Sequence, residues 1–207
     1  MLNECGYKVL DKLVSPLEQD NFENLLTSNN FAWFISENDK TVDEDEYKIR
    51  KLKFPNIRES VQLSHTFCYP VDNNKTEINS DKYDDTIKLF NNVMAHFKLN
   101  NLEVFRIKAN LQMQCESNKL EHHNTPHIDV STIKHYVAIY YVNDSDGKTI
   151  LFNKDNTVKI KVSPKKGRFL VFDGSILHTG SHPIKNKKRM VVNYNFYRAS
   201  KKLKVVT

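Results

Sequence analysis

Glycine is scarce, with 5 in 207 residues. Loops that cradle phosphates with backbone N–H groups need glycines close together, and none of their patterns occurs, so a nucleotide-phosphate loop is excluded. Cysteine is rarer still. Cys5, Cys68 and Cys115 are odd in number, far apart and outside CxxC or CxxH spacing, which argues against both a disulfide framework and a thiolate zinc site. No run approaches the roughly 18 apolar residues that span a bilayer, and the start MLNECGYKVLDKLVS lacks the apolar centre of a secretion signal. A cytoplasmic protein with no membrane attachment is expected. Internal repeats and low-complexity tracts are also missing.

What is present is ordinary for a folded chain. Hydrophobic residues make up 39% and charged residues 27%, too apolar for disorder and enough to bury the core of one domain. The formal net charge is +6, much of it in two short runs, Lys185 to Arg189 and Lys201 to Lys204. Such a balance leaves an acidic partner such as nucleic acid open without favouring one.

The first half mixes helices and strands. Ser15-Pro16-Leu17-Glu18 has the form of a helix start, with Ser as N-cap, Pro at the first helical position, and Leu17, Phe22, Leu25 and Leu26 as an apolar stripe. Phe31 to Ile35 reads as a short strand. Residues 37 to 46 are acidic, without apolar period, and read as a solvated loop; whether residues 37 to 50 also cover a pocket stays open. Residues 61 to 69 alternate as a strand does, and Asp81 to Leu99 carries Ile87, Phe90, Val93, Met94 and Phe97 at helical spacing. From Leu102 onward the pattern becomes a series of strands, at 103–114, 133–143, 148–153, 157–162, 168–172 and 189–197. Turn residues such as Asp144-Ser-Asp-Gly147 and Asp173-Gly174 separate them, which is the signature of a sandwich or barrel.

Chemistry gathers in that second half. His127 and Asp129 stand at i and i+2, so on an extended chain both point to one face. A β-sandwich could fold His178 back onto them. Two imidazoles and one carboxylate on one face of an octahedral metal leave the opposite positions free for dioxygen, as non-haem iron(II) requires; a zinc site is the rival. His182 competes with His178 as the third ligand. On the strand from Arg189 to Phe196, Arg189, Val191, Asn193 and Asn195 share one face, and an inward Arg can grip a carboxylate bidentately. Arg106, Lys108, Asn110, Gln112 and Gln114 likewise form the polar face of an alternating strand, which either meets solvent or looks into a barrel.

Taken in order, these features resemble the 2-oxoglutarate and iron(II)-dependent oxygenases, especially the prolyl 4-hydroxylase-like branch and its small phage and marine bacterial members. The likeness spans about residues 102 to 198 and, more faintly, 31 to 70. It is carried by His127-Ile-Asp129, by Ala138-Ile-Tyr-Tyr-Val-Asn143 with Asp146-Gly147 and Thr149 following, by Lys166-Gly-Arg-Phe-Leu-Val-Phe-Asp173 ahead of His178, and by Arg189 opening the last strand. The resemblance implies an α+β chain, mainly β with flanking helices. One domain, 1–207, would have a double-stranded β-helix (jelly-roll, cupin-like) core at 102–198 supported by residues 1–101.

It further implies Fe(II) on His127, Asp129 and His178, with 2-oxoglutarate and dioxygen as cosubstrates. Arg189 and Tyr141 would take the distal carboxylate, Tyr140 would face the packing, and Asn110, Gln112 and Asn193 would bind cosubstrate or substrate. With Asn195 and His135 these amides would make a polar pocket, with His122 and His123 near its mouth. Arg189 follows His178 by eleven residues, about one more than the family pattern, so Lys187 and Lys188 stay as alternatives. The implied reaction is hydroxylation of a C–H bond in an amino acid or peptide side chain, in the cytoplasm of the cell or of a phage host. A cupin-type zinc hydrolase or isomerase, or a basic nucleic-acid-binding module, remains the alternative.

Overall fold

Strict alternation of side chains organises the C-terminal half. In the computed structural model, which describes residues 2–36, 44–72, 75–96, 101–116, 119 and 121–198, the strand β11 (Lys188–Arg198) is central to the larger of two sheets. Met190, Val192, Tyr194 and Phe196 lie in one buried cluster and Val191 in another. The same division separates Ala138 and Tyr140 from Val137, Ile139 and Tyr141 on β6 (Tyr136–Tyr141), and Phe169 and Val171 from Leu170 and Phe172 on β9 (Phe169–Asp173). Each strand therefore buries both faces, one under helices and one under a second sheet.

The large antiparallel sheet runs β1-β9-β6-β11-β5-β3-β2, where β1 is Tyr7–Leu10, β2 Phe34–Ser36, β3 Gln62–Asp72 and β5 Leu102–Met113; β4 (Lys75–Ile78) pairs with β3. The small sheet runs β10-β7-β8, from β7 (Thr149–Phe152), β8 (Val158–Val162) and β10 (His178–Gly180). His127 adds itself to the free side of β10 through an isolated antiparallel bridge to His178. The two sheets enclose the smaller cluster as a double-stranded β-helix, mainly β with flanking helices as expected.

Helices α1 (Pro16–Thr27) and α3 (Tyr83–Ala95) cover the outer face of the large sheet. The start of α1 is a capping box: Ser15 Oγ accepts from the Glu18 N–H at 3.3 Å and Glu18 Oε2 accepts from the Ser15 N–H at 3.2 Å. Phe22 meets Tyr140 edge-on at 5.5 Å. Leu17, read as part of the apolar stripe, is instead exposed, because at the second helical position it lies on the far side from Phe22 and Leu26. On α3, Phe90 stacks on Tyr194 at 5.0 Å and meets Phe196 edge-on at 5.0 Å. The Tyr194 hydroxyl donates to the Thr86 carbonyl at 3.1 Å.

Some expectations shift. The acidic stretch is not a loop throughout, since α2 (Glu44–Lys53) begins inside it; residues 37–43 lie outside the described residues, as do 97–99 of the expected second helix and the run Lys201 to Lys204. Phe31 and Trp33 pack against the core before the strand begins at Phe34. Strands β1 and β10 were not anticipated, being only four and three residues long. No helix among the described residues is long and apolar enough to cross a membrane.

Phe90 is fully buried at the centre of the helix-to-sheet contact. Its replacement by Ala is expected to lower the unfolding free energy by about 3–5 kcal/mol, read as a shift in the urea midpoint with the slope unchanged.

Candidate active site

Two backbone hydrogen bonds position the pair of imidazoles. His127 N–H donates to the His178 carbonyl at 2.9 Å and His178 N–H to the His127 carbonyl at 3.0 Å. Residues paired this way stand directly opposite with side chains on one face, and the rings lie 4.7 Å apart. The bridge is reinforced nearby, where Asn124 N–H donates to the Gly180 carbonyl at 3.1 Å and Thr179 Oγ1 to the Asn124 carbonyl at 2.7 Å. Asp129, two residues on from His127, points the same way, and ligand atoms of the three residues lie within 4.8 Å of one another.

Each imidazole is oriented by a carbonyl two residues upstream. Nδ1 of His127 lies 3.2 Å from the Thr125 carbonyl and Nδ1 of His178 lies 3.1 Å from that of Ile176. A carbonyl only accepts, so each Nδ1 carries the proton and each Nε2 keeps its lone pair for the shared space. Burial pushes the His178 imidazole down to about 4, so it is neutral and able to ligate at physiological pH. Phe172 meets its ring edge-on at 4.9 Å and blocks other orientations.

Asp129 is buried beneath the rings. Its Oδ2 accepts from Asn193 Nδ2 at 2.8 Å and Asn195 Nδ2 at 2.9 Å. Arg106 Nη1 lies 3.5 Å, and His127 Nε2 3.6 Å, from Oδ1. Desolvation would raise the carboxyl, but the donors and the positive charge around it outweigh burial and hold it well below the usual carboxylate range. Two neutral imidazole nitrogens and one ionised carboxylate on a single side form a donor set that suits a non-haem iron(II) with free positions opposite.

These groups open into a cavity of about 360 Å³ walled by β5, β11 and the small sheet, within the range of small-molecule sites. Arg189 lies deep in it, 3% exposed. Nε donates to the Gly147 carbonyl at 3.0 Å, Nη1 to Gln112 Oε1 at 2.7 Å and Nη2 to Thr149 Oγ1 at 2.7 Å. All three acceptors are neutral, and no carboxylate among the described residues pairs with this guanidinium. Burial lowers its pKa from the ordinary value, yet Arg keeps its proton, and one N–H on each Nη is left for a ligand. A buried cation without an anion is costly unless a ligand supplies the charge. Gly147 is required here, since a Cβ would lie 2.5 Å from the Ser181 carbonyl oxygen and 3.0 Å from Arg189 Cδ.

The turn between His178 and Arg189 is held at Asp146. Its carboxylate accepts the N–H groups of Ile184, Lys185 and Asn186 at 2.9–3.1 Å. Asn143 then accepts from Met190 N–H at 2.8 Å and donates to the Lys188 carbonyl at 3.0 Å, fixing the residue between them. Lys187 and Lys188 do not line the cavity; Arg189 does.

Asn110, Gln112 and Asn193 all line the cavity. Gln112 reaches it through Arg189 and Asn193 through Asp129, whereas Asn110 Oδ1 accepts from Gln62 Nε2 at 3.1 Å. Tyr141 is fully buried just behind the wall, near Thr149 and Arg189, and its hydroxyl has no hydrogen-bond partner of good geometry among the described residues. Tyr140 faces the helix-covered core as expected.

Of the two competing histidines, His182 is buried with Nδ1 3.3 Å from the Met113 carbonyl, outside the cluster that holds His178. Two expectations need correction. His135 and Asn195 do not line the pocket, His135 being packed against Phe105 and Gly174 and Asn195 lying beneath Asp129. His122 and His123 are not at the mouth; His123 packs on Phe152, while Asn124 and Thr125 line the opening. The sequence reading missed the roles of Thr149 and Arg106. Thr149 stood in the ordered motif and Arg106 on the polar face of β5, so each had a positional signal without a stated partner.

The family model described as the 2OG-Fe(II) oxygenase superfamily matches residues 111–197, a segment that contains His127, Asp129, His178 and Arg189. No curated protein matches the sequence. Among solved structures, an oxidoreductase of the 2OG-Fe(II) oxygenase family from Burkholderia pseudomallei is similar in fold, with TM-score 0.67, 11% identity, and coverage of 95% of this chain and 87% of that one. A prolyl hydroxylase from Trichoplax adhaerens, in complex with a hypoxia inducible factor oxygen degradation domain peptide fragment, has TM-score 0.57 and 15% identity, covering 94% and 84%. The viral collagen prolyl hydroxylase of Paramecium Bursaria Chlorella virus-1, in its 2OG complex, has TM-score 0.52 and 16% identity, covering 95% and 100%. At these identities the likeness is one of fold, shared with prolyl hydroxylases. The segment that builds the cavity, residues 111–197, thus matches the 2OG-Fe(II) oxygenase superfamily, and with the shared fold this marks a dioxygenase working with Fe(II) and 2-oxoglutarate.

Proposed function

We propose that the protein hydroxylates a C–H bond of an amino acid or peptide side chain, with Fe(II) held by His127 Nε2, Asp129 and His178 Nε2 and the distal carboxylate of 2-oxoglutarate held by Arg189. The observation that carries this reading is the buried Arg189 guanidinium, which faces the same cavity as the triad and has only neutral partners among the described residues. Arg189 and Asn193 share a face of β11 about 13 Å apart along the strand, so an elongated dianion fits between the arginine and the Asp129 carboxylate that Asn193 holds. The buried Tyr141 hydroxyl supplies a further donor for the same carboxylate.

The bound metal and cosubstrate supply the oxidising chemistry, in which 2-oxoglutarate and dioxygen are converted to succinate and CO2 and one oxygen atom enters the substrate C–H bond. The chain's own part is arrangement. Thr125 and Ile176 carbonyls keep the two Nε2 lone pairs turned inward. Asn193 and Asn195 hold Asp129 ionised and in place. Phe172, Val191 and Ile139 exclude water from around His178 and the cosubstrate, which strengthens the charge contacts.

Anaerobic addition of Fe(II) and 2-oxoglutarate is expected to give a weak visible charge-transfer band, and Asp129→Ala to lose it; an identical response in wild type and variant overturns the assignment. Arg189→Leu is expected to raise the 2-oxoglutarate concentration needed for the band by at least about 30-fold, the effect of removing one partner of a buried charge pair. A separate titration addresses the groups behind the metal. Asn193→Ala and Asn195→Ala should each weaken Fe(II) binding about 10- to 100-fold while circular dichroism stays that of the wild type.

A further inference from the structure

The two amides that hold Asp129 are not equivalent. Asn193 Nδ2 and Asn195 Nδ2 both donate to Oδ2, at 2.8 and 2.9 Å. Asn193 Oδ1 has no hydrogen-bond partner among the described residues, whereas Asn195 Oδ1 accepts from Arg106 Nη1 at 2.8 Å. A guanidinium only donates and an ionised carboxylate only accepts, so the amide between them has a single orientation, oxygen to Arg106 and nitrogen to Asp129. Turned over, it would set donor against donor at one end and oxygen against oxygen at the other.

A bulge in the large sheet brings Arg106 to this point. The register of β5 against β11 shifts between Asn195 and Phe196: Arg106 faces Asn195 but Val104 faces Phe196, which leaves Phe105 as the extra residue. By strand alternation alone Val104 and Arg106 would share a face. With Phe105 inserted, Val104 joins Phe196 against the outer cluster while Arg106 stays on the cavity side. The two oxygens of Asp129 are unequal as a result. Oδ2 takes both amide donors, whereas Oδ1 has Arg106 Nη1 at 3.5 Å and His127 Nε2 at 3.6 Å, each longer than an N–H···O hydrogen bond. Oδ1 therefore keeps its lone pairs for a metal.

We infer that Arg106 is a positioning residue that acts through Asn195: it locks the amide, the amide fixes the plane of the Asp129 carboxylate, and the carboxylate meets the metal through one oxygen. This rests on the metal triad proposed above. Binding through one oxygen leaves open a coordination position that a carboxylate bound through both would fill. Position and charge predict opposite effects. A cation beside the ligand oxygen repels a metal ion, so removing an Arg106 that acted by charge alone would tighten metal binding; removing one that positions Asp129 weakens it.

The experiment titrates the metal-free protein with cobalt(II), which suits the same ligand set and whose visible absorption follows the number and arrangement of its ligands. Arg106→Met is expected to weaken cobalt(II) binding about 10- to 100-fold, as loss of a group behind a metal ligand does, and to change the intensity of the visible bands. In an Asn195→Ala background the same substitution should change the affinity by about twofold or less, because the amide through which it acts is gone. Arg106→Gln replaces Arg106→Met if circular dichroism shows the latter unfolded, and is judged by the same outcomes. Binding as tight as in wild type or tighter, an unchanged cobalt(II) spectrum, or equal weakening with and without Asn195 overturns the inference. Asp129→Ala measured alongside separates the two failures. If it binds cobalt(II) as wild type does, the triad itself is wrong; if it loses the wild-type spectrum while Arg106→Met keeps it, this inference alone fails.

Discussion

The pairing register of β11 between β5 and β6 is the constraint on which the site depends. Met190, Val192, Tyr194 and Phe196 anchor one face beneath α3, and the opposite face then has to present Arg189, Val191 and Asn193 to the cavity. A slip by one residue would drive the guanidinium under the helices and turn Tyr194 into the pocket. Phe90 stacked on Tyr194, and the Tyr194 hydroxyl bonded to Thr86, make that slip prohibitive. Packing on the outside of the sheet thereby sets chemistry on its inside.

The same sheet holds buried charge in two different ways. Asp129 is surrounded by donors, two amides and Arg106, so it stays ionised before any metal arrives. Arg189 is surrounded by neutral acceptors that orient it without neutralising it. One group is thus prepared as a ligand and the other as a receptor for an anion. Replacing either charge together with its partners by apolar residues would remove a desolvation penalty and stabilise the empty fold at the expense of the site, whereas replacing the partners alone would strand a buried charge.

The backbone does as much positioning as the side chains. The His127 to His178 bridge aligns two imidazoles that lie 51 residues apart in the chain, and the carbonyls of Thr125 and Ile176 choose the tautomer of each. Asp146 and Asn143, holding backbone groups on both sides of the turn before β11, fix the segment between His178 and Arg189.

Several of these features could be read from residues alone, because they depend on local periodicity. The i, i+2 spacing of His127 and Asp129, the two-faced strand after Arg189, the polar face of β5 and the Ser15 to Glu18 capping box are properties of short segments with a fixed repeat. The three-residue strand β10 and the four-residue β1 could not be read, since so short a run has no period of its own and becomes a strand only when a neighbour supplies its hydrogen bonds. The place of Asn195 under Asp129 rather than in the pocket and the exclusion of His135 from it likewise depended on contacts between distant segments. The sequence by itself determined which residue types lie on which face of each strand; only the tertiary structure decided which faces meet, because that follows from long-range pairing and core packing that no local pattern encodes.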